Sequence, residues 1–274
     1  MRPFLKWPGN KYRIIEAIKG RLPVGKRLVE PFVGSGAVFL NTDYERYLLN
    51  DNNPDLITLY KILKKEGEPF IQYCQTFFTP ENNSSDKYYE LRALFNRTDD
   101  SRLKSALLIY LNRHGYNGLV RYNLQHELNV PFGDYKRPYF PYQELLFFFK
   151  KTSQAVFTCN DFLQTMAEAR PGDVLYCDPP YVPLSATSSF TAYSAGGFYL
   201  DRQKDLARMA EELSGRGIPV LISNHDTEFT NRAYQNADIQ RLQVQRFISC
   251  DGENRKKVGE ILALFAPRER AVNP

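Results

Sequence analysis

The sequence predicts a doubly wound α/β sheet with a terminal hairpin and an inserted helical domain, and three observations carry that prediction. Short apolar runs at 27–32, 47–50, 155–159, 174–177 and 219–223 alternate with helical periodicity, the pattern of a largely parallel sheet. Gly34, Asp51, Asp161 and Asp178 each fall where one of these strands ends, the edge at which open α/β sheets bind ligands. Between Pro54 and Lys151 strand-like runs disappear and the patterning turns helical. The expected division is therefore 1–53 with 152–274 as the sheet domain and 54–151 as the insertion.

At 274 residues the chain is longer than a common single domain, which agrees with one large core plus an insertion. With 43% hydrophobic and 24% charged residues it is ordinary globular material, neither disordered nor fibrous. The greasiest patch, 145–149, is stopped by Lys150 and Lys151, far short of membrane-spanning length. The first residues lack the long apolar segment of a signal peptide, so a cytoplasmic location with no membrane partner is expected. Cys74, Cys159, Cys177 and Cys250 are too scattered for a zinc cluster or a paired redox motif; reduced thiols and no metal are expected. The net charge of +5 is unevenly spread, since between Ser101 and Phe140 six Lys or Arg stand against Glu127 and Asp134, a local +4. Such a basic, aromatic-rich stretch points to a polyanion, although a solvated face would give the same excess.

Taken in order, residues 7–11 form a turn before a helix with Ile14, Ile15, Ile18 and Leu22 on one face. The strand at 27–32 runs into Gly34-Ser35-Gly36 and an apolar helix through Val38 and Phe39. Glycines there let the backbone approach a ligand and turn its N–H groups towards it. A dinucleotide fingerprint needs a third glycine where Phe39 stands, which disfavours a nicotinamide cofactor. Asp51, at the tip of the next strand, suits a ribose hydroxyl pair; it or Asp55 also suits the cap of the following helix, and the glycine turn favours the ribose reading.

In the insertion, Leu103, Ala106, Leu107 and Tyr110 mark one helix face and 78–86 reads as a loop. Residues 113–123 and 129–136 alternate Arg and Asn with Tyr and apolar wedges in a glycine-punctuated, hairpin-like loop. Arg pairs with guanine, Asn with adenine or phosphate, and Tyr or Leu can push between bases. The segment carries many donors without an evident partner. After the insertion come a strand at 155–159, the run 174–177, a helix at 201–215 with Leu206, Met209, Ala210 and Leu213 on one face, and a strand at 219–223. Strands at 239–249 and 260–265, joined by 250–259, close the hairpin, and only the tail 268–274 is expected to be mobile.

The run 174–177 delivers Asp178-Pro179-Pro180-Tyr181. Each of the first two residues precedes a proline, which pushes both towards extended backbone, and neither proline supplies an N–H. The Asp178 carboxylate and Pro179 carbonyl can accept from an amino group, and Tyr181 offers a face to a planar ring. A strand followed by an ordinary proline turn has the same residues, so the motif alone leaves both readings open.

Together these segments resemble the Dam family of DNA adenine N6-methyltransferases, from about Phe4 to Pro267. The matching pieces are residues 4–7 (Phe-Leu-Lys-Trp) with Lys11, 30–36 (Glu-Pro-Phe-Val-Gly-Ser-Gly), 113–123, 129–140, 178–181 and 223–226 (Ser-Asn-His-Asp). The resemblance implies a Rossmann-like methyltransferase sheet, S-adenosyl-L-methionine as methyl donor, double-stranded DNA as substrate and a helical target-recognition domain at 54–151. It implies no obligate protein partner. Cofactor contacts are implied for Trp7, Lys11, Phe32, Gly34, Gly36, Asp51, Asp161, Phe162 and Asp178, and a catalytic role for Asp178, Pro179 and Tyr181. Arg121 matches the arginine that reads guanine in the family's usual GATC site. Tyr116, Asn117, Leu119, Pro131 and Tyr135 match residues at or near the bases, and Lys6, Arg113 and Asn123 match other DNA contacts.

Two departures stand out. Asn10 replaces the usual second glycine before Lys11; Asn tolerates left-handed backbone, so the turn is expected to survive. Asp134 stands where relatives often carry a basic residue, which puts one phosphate contact in doubt. The readings that keep the chemistry but change the setting are an amino methyltransferase acting on RNA and a restriction-modification methylase with a different site. A DNA-binding module without activity is countered by the intact 178–181 motif, and a zinc deaminase by the missing paired cysteines.

Overall fold

A computed structural model describes residues 1–182, 200–245 and 257–267. Cys250, most of the connection 250–259 and the tail 268–274 lie outside the described residues. Seven strands form one sheet: β1 (Arg27–Glu30), β2 (Arg46–Asn50), β3 (Ala155–Thr158), β4 (Asp173–Cys177), β5 (Val220–His225), β6 (Asp238–Gln245) and β7 (Lys257–Phe265). Their order is β3-β2-β1-β4-β5-β7-β6. Strands β2, β1, β4 and β5 pair in parallel, and β7 runs antiparallel to both β5 and β6. The dinucleotide-binding order runs 3-2-1-4-5-6; here an antiparallel strand stands between the fifth and sixth. The expected closing hairpin is therefore present, with β7 rather than β6 as the inner strand.

The chain divides into two compact units: Met1–Arg13, Val33–Asp43 and Asp51–Cys159 in the first, Ile14–Phe32, Tyr44–Asn50 and Asn160–Pro274 in the second. In the second unit β4 and β5 are buried along their whole length, as central strands covered on both faces must be, which is why they read as unbroken apolar runs. Around them pack α1 (Ile15–Arg21), α7 (Phe162–Ala167), α8 (Leu200–Gly215) and α9 (Glu228–Ala233). Leu206, Ala210 and Leu213 carry the apolar stripe of α8 into the core, with Met209 at its margin. Arg27 and Asp173, paired in register on β1 and β4, form a two-pronged ion pair at 2.9 and 2.6 Å with the carboxylate buried. It pins the register at the amino ends of these parallel strands.

The first unit is mainly helical: α2 (Pro54–Glu66), α3 (Glu68–Gln75), α4 (Ser85–Arg97), α5 (Ser101–His114) and α6 (Tyr142–Lys151). Asn53, Ser84 and Asp100 cap α2, α4 and α5 by accepting first-turn N–H groups, each cap contributing about 1 kcal/mol. Phe148 of α6 is the hub of its core. It meets Phe4 at 5.1 Å, Tyr60 at 4.7 Å and Phe39 at 5.5 Å between ring centroids, so the amino-terminal segment is locked into this unit. Helix α5 is buried on all sides from Ser105 to His114, not along one stripe.

The apolar helix expected through Val38 and Phe39 is reduced to a 3-10 turn, Phe39–Asn41. Asn41 Nδ2 donates to the Ala37 carbonyl and Thr42 Oγ1 to the Val38 carbonyl, competing with the backbone for the acceptors that would continue the helix.

Candidate active site

In the second unit the carboxyl end of β4 releases Asp178-Pro179-Pro180-Tyr181 as the expected lip. Polar groups from three other elements hold it. Ser223 Oγ donates to Asp178 Oδ1 at 2.9 Å, and Asn224 Oδ1 accepts the Val182 N–H at 3.2 Å. Gln203 of α8 donates to the Pro180 carbonyl at 2.7 Å, and its own amide oxygen accepts from Asn224 at 3.0 Å. Tyr181 is fixed at both ends: its hydroxyl donates to Glu260 Oε2 of β7 at 3.2 Å, and its ring meets the His225 ring edge-on at 4.6 Å. Burial, with the Asp178 and Glu260 charges behind it, holds the Tyr181 hydroxyl well above its usual pKa, so it serves as a neutral donor.

Ser223, Asn224, His225, Gln203 and Glu260 are supporting residues for which the sequence reading assigned no role. The trace they leave is polarity where apolar residues are expected: three consecutive polar residues close an otherwise apolar strand, and a glutamine lies on the buried side of α8.

Near the ends of β1 and β3, Asn50 ties two turns together. Its side-chain amide donates to the Pro31 and Asn160 carbonyls, both at 3.0 Å, and accepts the Asn160 N–H at 2.9 Å. Phe32 and Phe162, which follow those turns, pack at 5.1 Å between centroids. Asp161 caps α7 through Leu163 N–H and forms an ion pair with Arg202, whose guanidinium lies 4.5 Å above the Phe162 ring.

In the first unit Gly34 and Gly36 take φ of +47° and +73°. A side chain at Gly34 would begin 3.0 Å from the Trp7 indole nitrogen, so glycine is required there by both space and conformation. Tyr60 donates to the Gly34 carbonyl at 2.6 Å. Asp51 does not cap α2, a task taken by Asn53. Its carboxylate receives N–H bonds from Gly34 and Asn53, both at 3.0 Å. Burial raises the Asp51 pKa, and those N–H groups offset part of the rise. A carboxylate accepts at about four positions, so hydroxyl donors can still be received.

The turn at Asn10 survives by a different route from the one expected. Gly9 carries the left-handed backbone at φ +76°, and Asn10 is not among the positive-φ residues. Its side chain instead accepts from Tyr12 N–H at 2.8 Å and donates to Ser35 Oγ at 3.2 Å, fastening the turn to the glycine loop. Lys11, whose Nζ reaches the Gly9 carbonyl at 2.6 Å, is buried.

The basic segment is hairpin-like, with bridges Gly115–Phe132 and Tyr122–Leu128. Its return arm is docked on α4: Tyr88 and Arg92 donate to the Val130 carbonyl at 3.0 and 2.8 Å, and Asn96 exchanges two bonds with Leu128. The expectation that its donors lack partners is corrected in part, with the buried Arg113 Nε still without a hydrogen-bond partner among the described residues. Arg113 is buried and donates to the Phe4 carbonyl, and Asn123 accepts from Gln125 and Glu127 N–H to close the hairpin tip. Arg121 is exposed and gives two of its N–H groups to Asn129, at 2.9 and 3.3 Å.

Tyr116, Asn117 and Pro131 are exposed and Leu119 is partly so. Tyr135 accepts the Asn117 N–H on its hydroxyl at 2.9 Å and takes Lys6 Nζ over its ring at 4.4 Å. Asp134 adopts φ +49°, a conformation that Asp tolerates better than most side chains.

Among the described residues no group of three or more His, Cys, Asp and Glu is placed to hold a metal, and no helix is long and apolar enough to cross a membrane.

A mostly parallel sheet with an antiparallel seventh strand, and an acid-proline-proline-tyrosine lip after β4, is a Rossmann-like methyltransferase arrangement. The chain belongs to the D12 class of N6 adenine-specific DNA methyltransferases, whose family pattern matches residues 7–248. It is 52% identical over 266 residues to the DNA adenine methylase of Escherichia coli (strain K12), covering 97% of this chain and 96% of that protein. Over 267 residues it is 52% identical to the DNA adenine methylase of Vibrio cholerae serotype O1, with 97% and 96% covered. Over 266 residues it is 53% identical to that of Salmonella typhi, again with 97% and 96% covered. The family resemblance read from the motifs holds, and the protein is an adenine-specific DNA methyltransferase.

Proposed function

We propose that the chain methylates adenine N6 within GATC in double-stranded DNA, using S-adenosyl-L-methionine, with 54–151 as the target-recognition domain. The donor's sulfonium supplies an activated methyl group. The glycine turn with Trp7 and Lys11 and the carboxylate of Asp51 suit an adenosyl group in the first unit, and Phe32, Asp161 and Phe162 offer a flat apolar surface beside an acid in the second.

The observation that carries the reading is the fixed lip. The target N6 lies inside the base stack, so the base must be flipped out, at a cost of a few kcal/mol. Stacking on the braced Tyr181 ring offsets about 1–3 kcal/mol of that cost. The N6 lone pair is delocalised into the ring; acceptance of the amine hydrogens by the Asp178 carboxylate and the Pro179 carbonyl localises it and aims it at the methyl carbon. Bound beside the lip, the donor would supply the methyl group and leave as a neutral thioether, and the proton given up by the amine would pass to solvent.

Exposed Arg121, pre-aimed by Asn129, is the proposed guanine reader, and Tyr116, Asn117, Leu119, Pro131 and Tyr135 the proposed base-adjacent residues. Lys6 lies beside them on Tyr135. Arg113 and Asn123 act by shaping the hairpin and its support, since both are engaged within the fold.

The test is to expose genomic DNA to the purified chain with methyl-labelled S-adenosyl-L-methionine and map the labelled adenines. Label confined to GATC is expected; label at another site would shift the reading to a different specificity, and label on RNA alone would refute it.

A further inference from the structure

The motif Ser223-Asn224-His225 matches the family but has no part in the proposed chemistry, and the structure gives it one. We propose that Ser223, backed by Tyr176, is the positioning residue that sets the plane of the Asp178 carboxylate at the target amine. The inference rests on the proposed catalytic role of Asp178.

The geometry is a chain of three groups. The Tyr176 hydroxyl lies 3.0 Å from Ser223 Oγ, and Ser223 Oγ lies 2.9 Å from Asp178 Oδ1. Tyr176 and Ser223 are both buried, at 1% and 0% exposure. Burial, and after it the Asp178 charge, keeps the Tyr176 hydroxyl well above its ordinary pKa, so it stays protonated. Tyr176 therefore donates to Ser223, and the single serine hydrogen is turned towards the carboxylate. Two other groups are in reach: the Cys177 carbonyl, which at 3.4 Å competes poorly, and the Tyr181 hydroxyl, a neutral oxygen that competes less well than the carboxylate for the serine hydrogen. Hydrogen bonds in series strengthen one another, and one that ends on a charge is stronger still.

A buried hydroxyl at the end of an apolar strand costs stability unless it is satisfied, and an alanine would continue β5 without that cost. The lip backbone, meanwhile, is held by other groups: Asn224 on Val182, Gln203 on Pro180, and His225 Nδ1 on the Val182 carbonyl at 2.6 Å. Removing the serine hydroxyl thus leaves the lip backbone held and takes away the hydrogen bond that Ser223 makes to Asp178 Oδ1.

The test uses the full chain, labelled S-adenosyl-L-methionine and a duplex with one GATC. Ser223→Ala should lower kcat about tenfold to a hundredfold, the cost of a small misplacement, with KM for DNA and cofactor unchanged and a modestly lower melting temperature, because the buried Tyr176 hydroxyl loses its partner. Tyr176→Phe should lower kcat less, and the double variant should be no worse than Ser223→Ala alone. The double variant removes both hydroxyls, so its melting temperature should recover while kcat stays low; an unchanged kcat in Ser223→Ala, a raised KM, a kcat that recovers with the melting temperature, or additive losses in the double variant would each overturn the inference. Asp178→Ala is measured beside them. If it keeps activity, the catalytic reading of the lip has failed; if it is inactive while Ser223→Ala is fully active, only the positioning role has failed.

Discussion

The lip at 178–182 and the hairpin at 115–133 are both loops built from proline, glycine and aromatic residues, and they are held in opposite ways. Most of the lip is gripped by buried or half-buried side chains remote in sequence: Ser223, 45 residues away, on Asp178; Gln203, 23 away, on Pro180; Glu260, 79 away, on Tyr181. In the hairpin the return arm is docked through Tyr88, Arg92 and Asn96. The exposed arm and the tip rely largely on neighbours: Arg121 on Asn129, eight residues away, and Asn123 on Glu127, four away. Two further ties hold the exposed arm: the Tyr122 hydroxyl donates to Asp55 at 2.8 Å beside the start of α2, and Asn112 of α5 donates to the Gly118 carbonyl at 2.9 Å. On the proposed function, chemistry demands a carboxylate and a ring that stay put, whereas reading a duplex demands side chains that can leave their own partners for a base edge.

The comparison predicts four outcomes of decreasing size. Asp178→Ala should reduce methyl transfer to background while leaving duplex affinity unchanged in a gel-shift titration; a parallel loss of binding would mean that the lip is not a purely chemical element.

The second concerns the foot of the hairpin. His114 is buried, stacks on Tyr110 at 3.9 Å and accepts Gly133 N–H on its carbonyl at 2.8 Å, and burial pushes its pKa down from 6.5 to about 4. The unfolded chain takes up this proton first, so stability is flat above pH 6.5, falls as the pH drops towards 4, and levels off below. The full loss is about 3 kcal/mol. Urea midpoints measured at pH 7 and 4.5 should separate in the native chain by more than in His114→Phe, and equal separation would remove His114 as the cause.

Third, Arg121→Ala should cost about 1–3 kcal/mol of discrimination at one guanine, read from rates on single-substitution duplexes. A loss uniform across sequences would mark a phosphate contact. Smallest is Asn123→Ala, which opens the hairpin tip and should weaken binding by about 1 kcal/mol on all duplexes alike, a hydrogen bond's worth, with kcat kept.

The two regions were also unequally legible. The strands, the glycine turn and the lip itself could be read from local residue order, because apolar runs and proline geometry act within a few residues. The lip's supports could not, since nothing in local order joins Glu260 to Tyr181. In the hairpin the bridging geometry was legible and the satisfaction of its donors was not. Arg113 reads as an exposed basic residue, yet α5 is buried on all sides and the Phe4 carbonyl waits for it. The helix expected after Gly36 failed for a similar reason, because Asn41 and Thr42 turn back on carbonyls that helical periodicity treats as already used.

The antiparallel β7 has a consequence for the order in which the lip is set. On the ribosome, a chain that has emerged only as far as β6 has β1, β2, β4 and β5 available but no Glu260 to brace Tyr181. It also leaves the edge of β5 bare, a surface prone to misassociation. The acid and the backbone of the lip are thus held before β7 arrives, and the brace on the Tyr181 hydroxyl is the last part of the lip to be set.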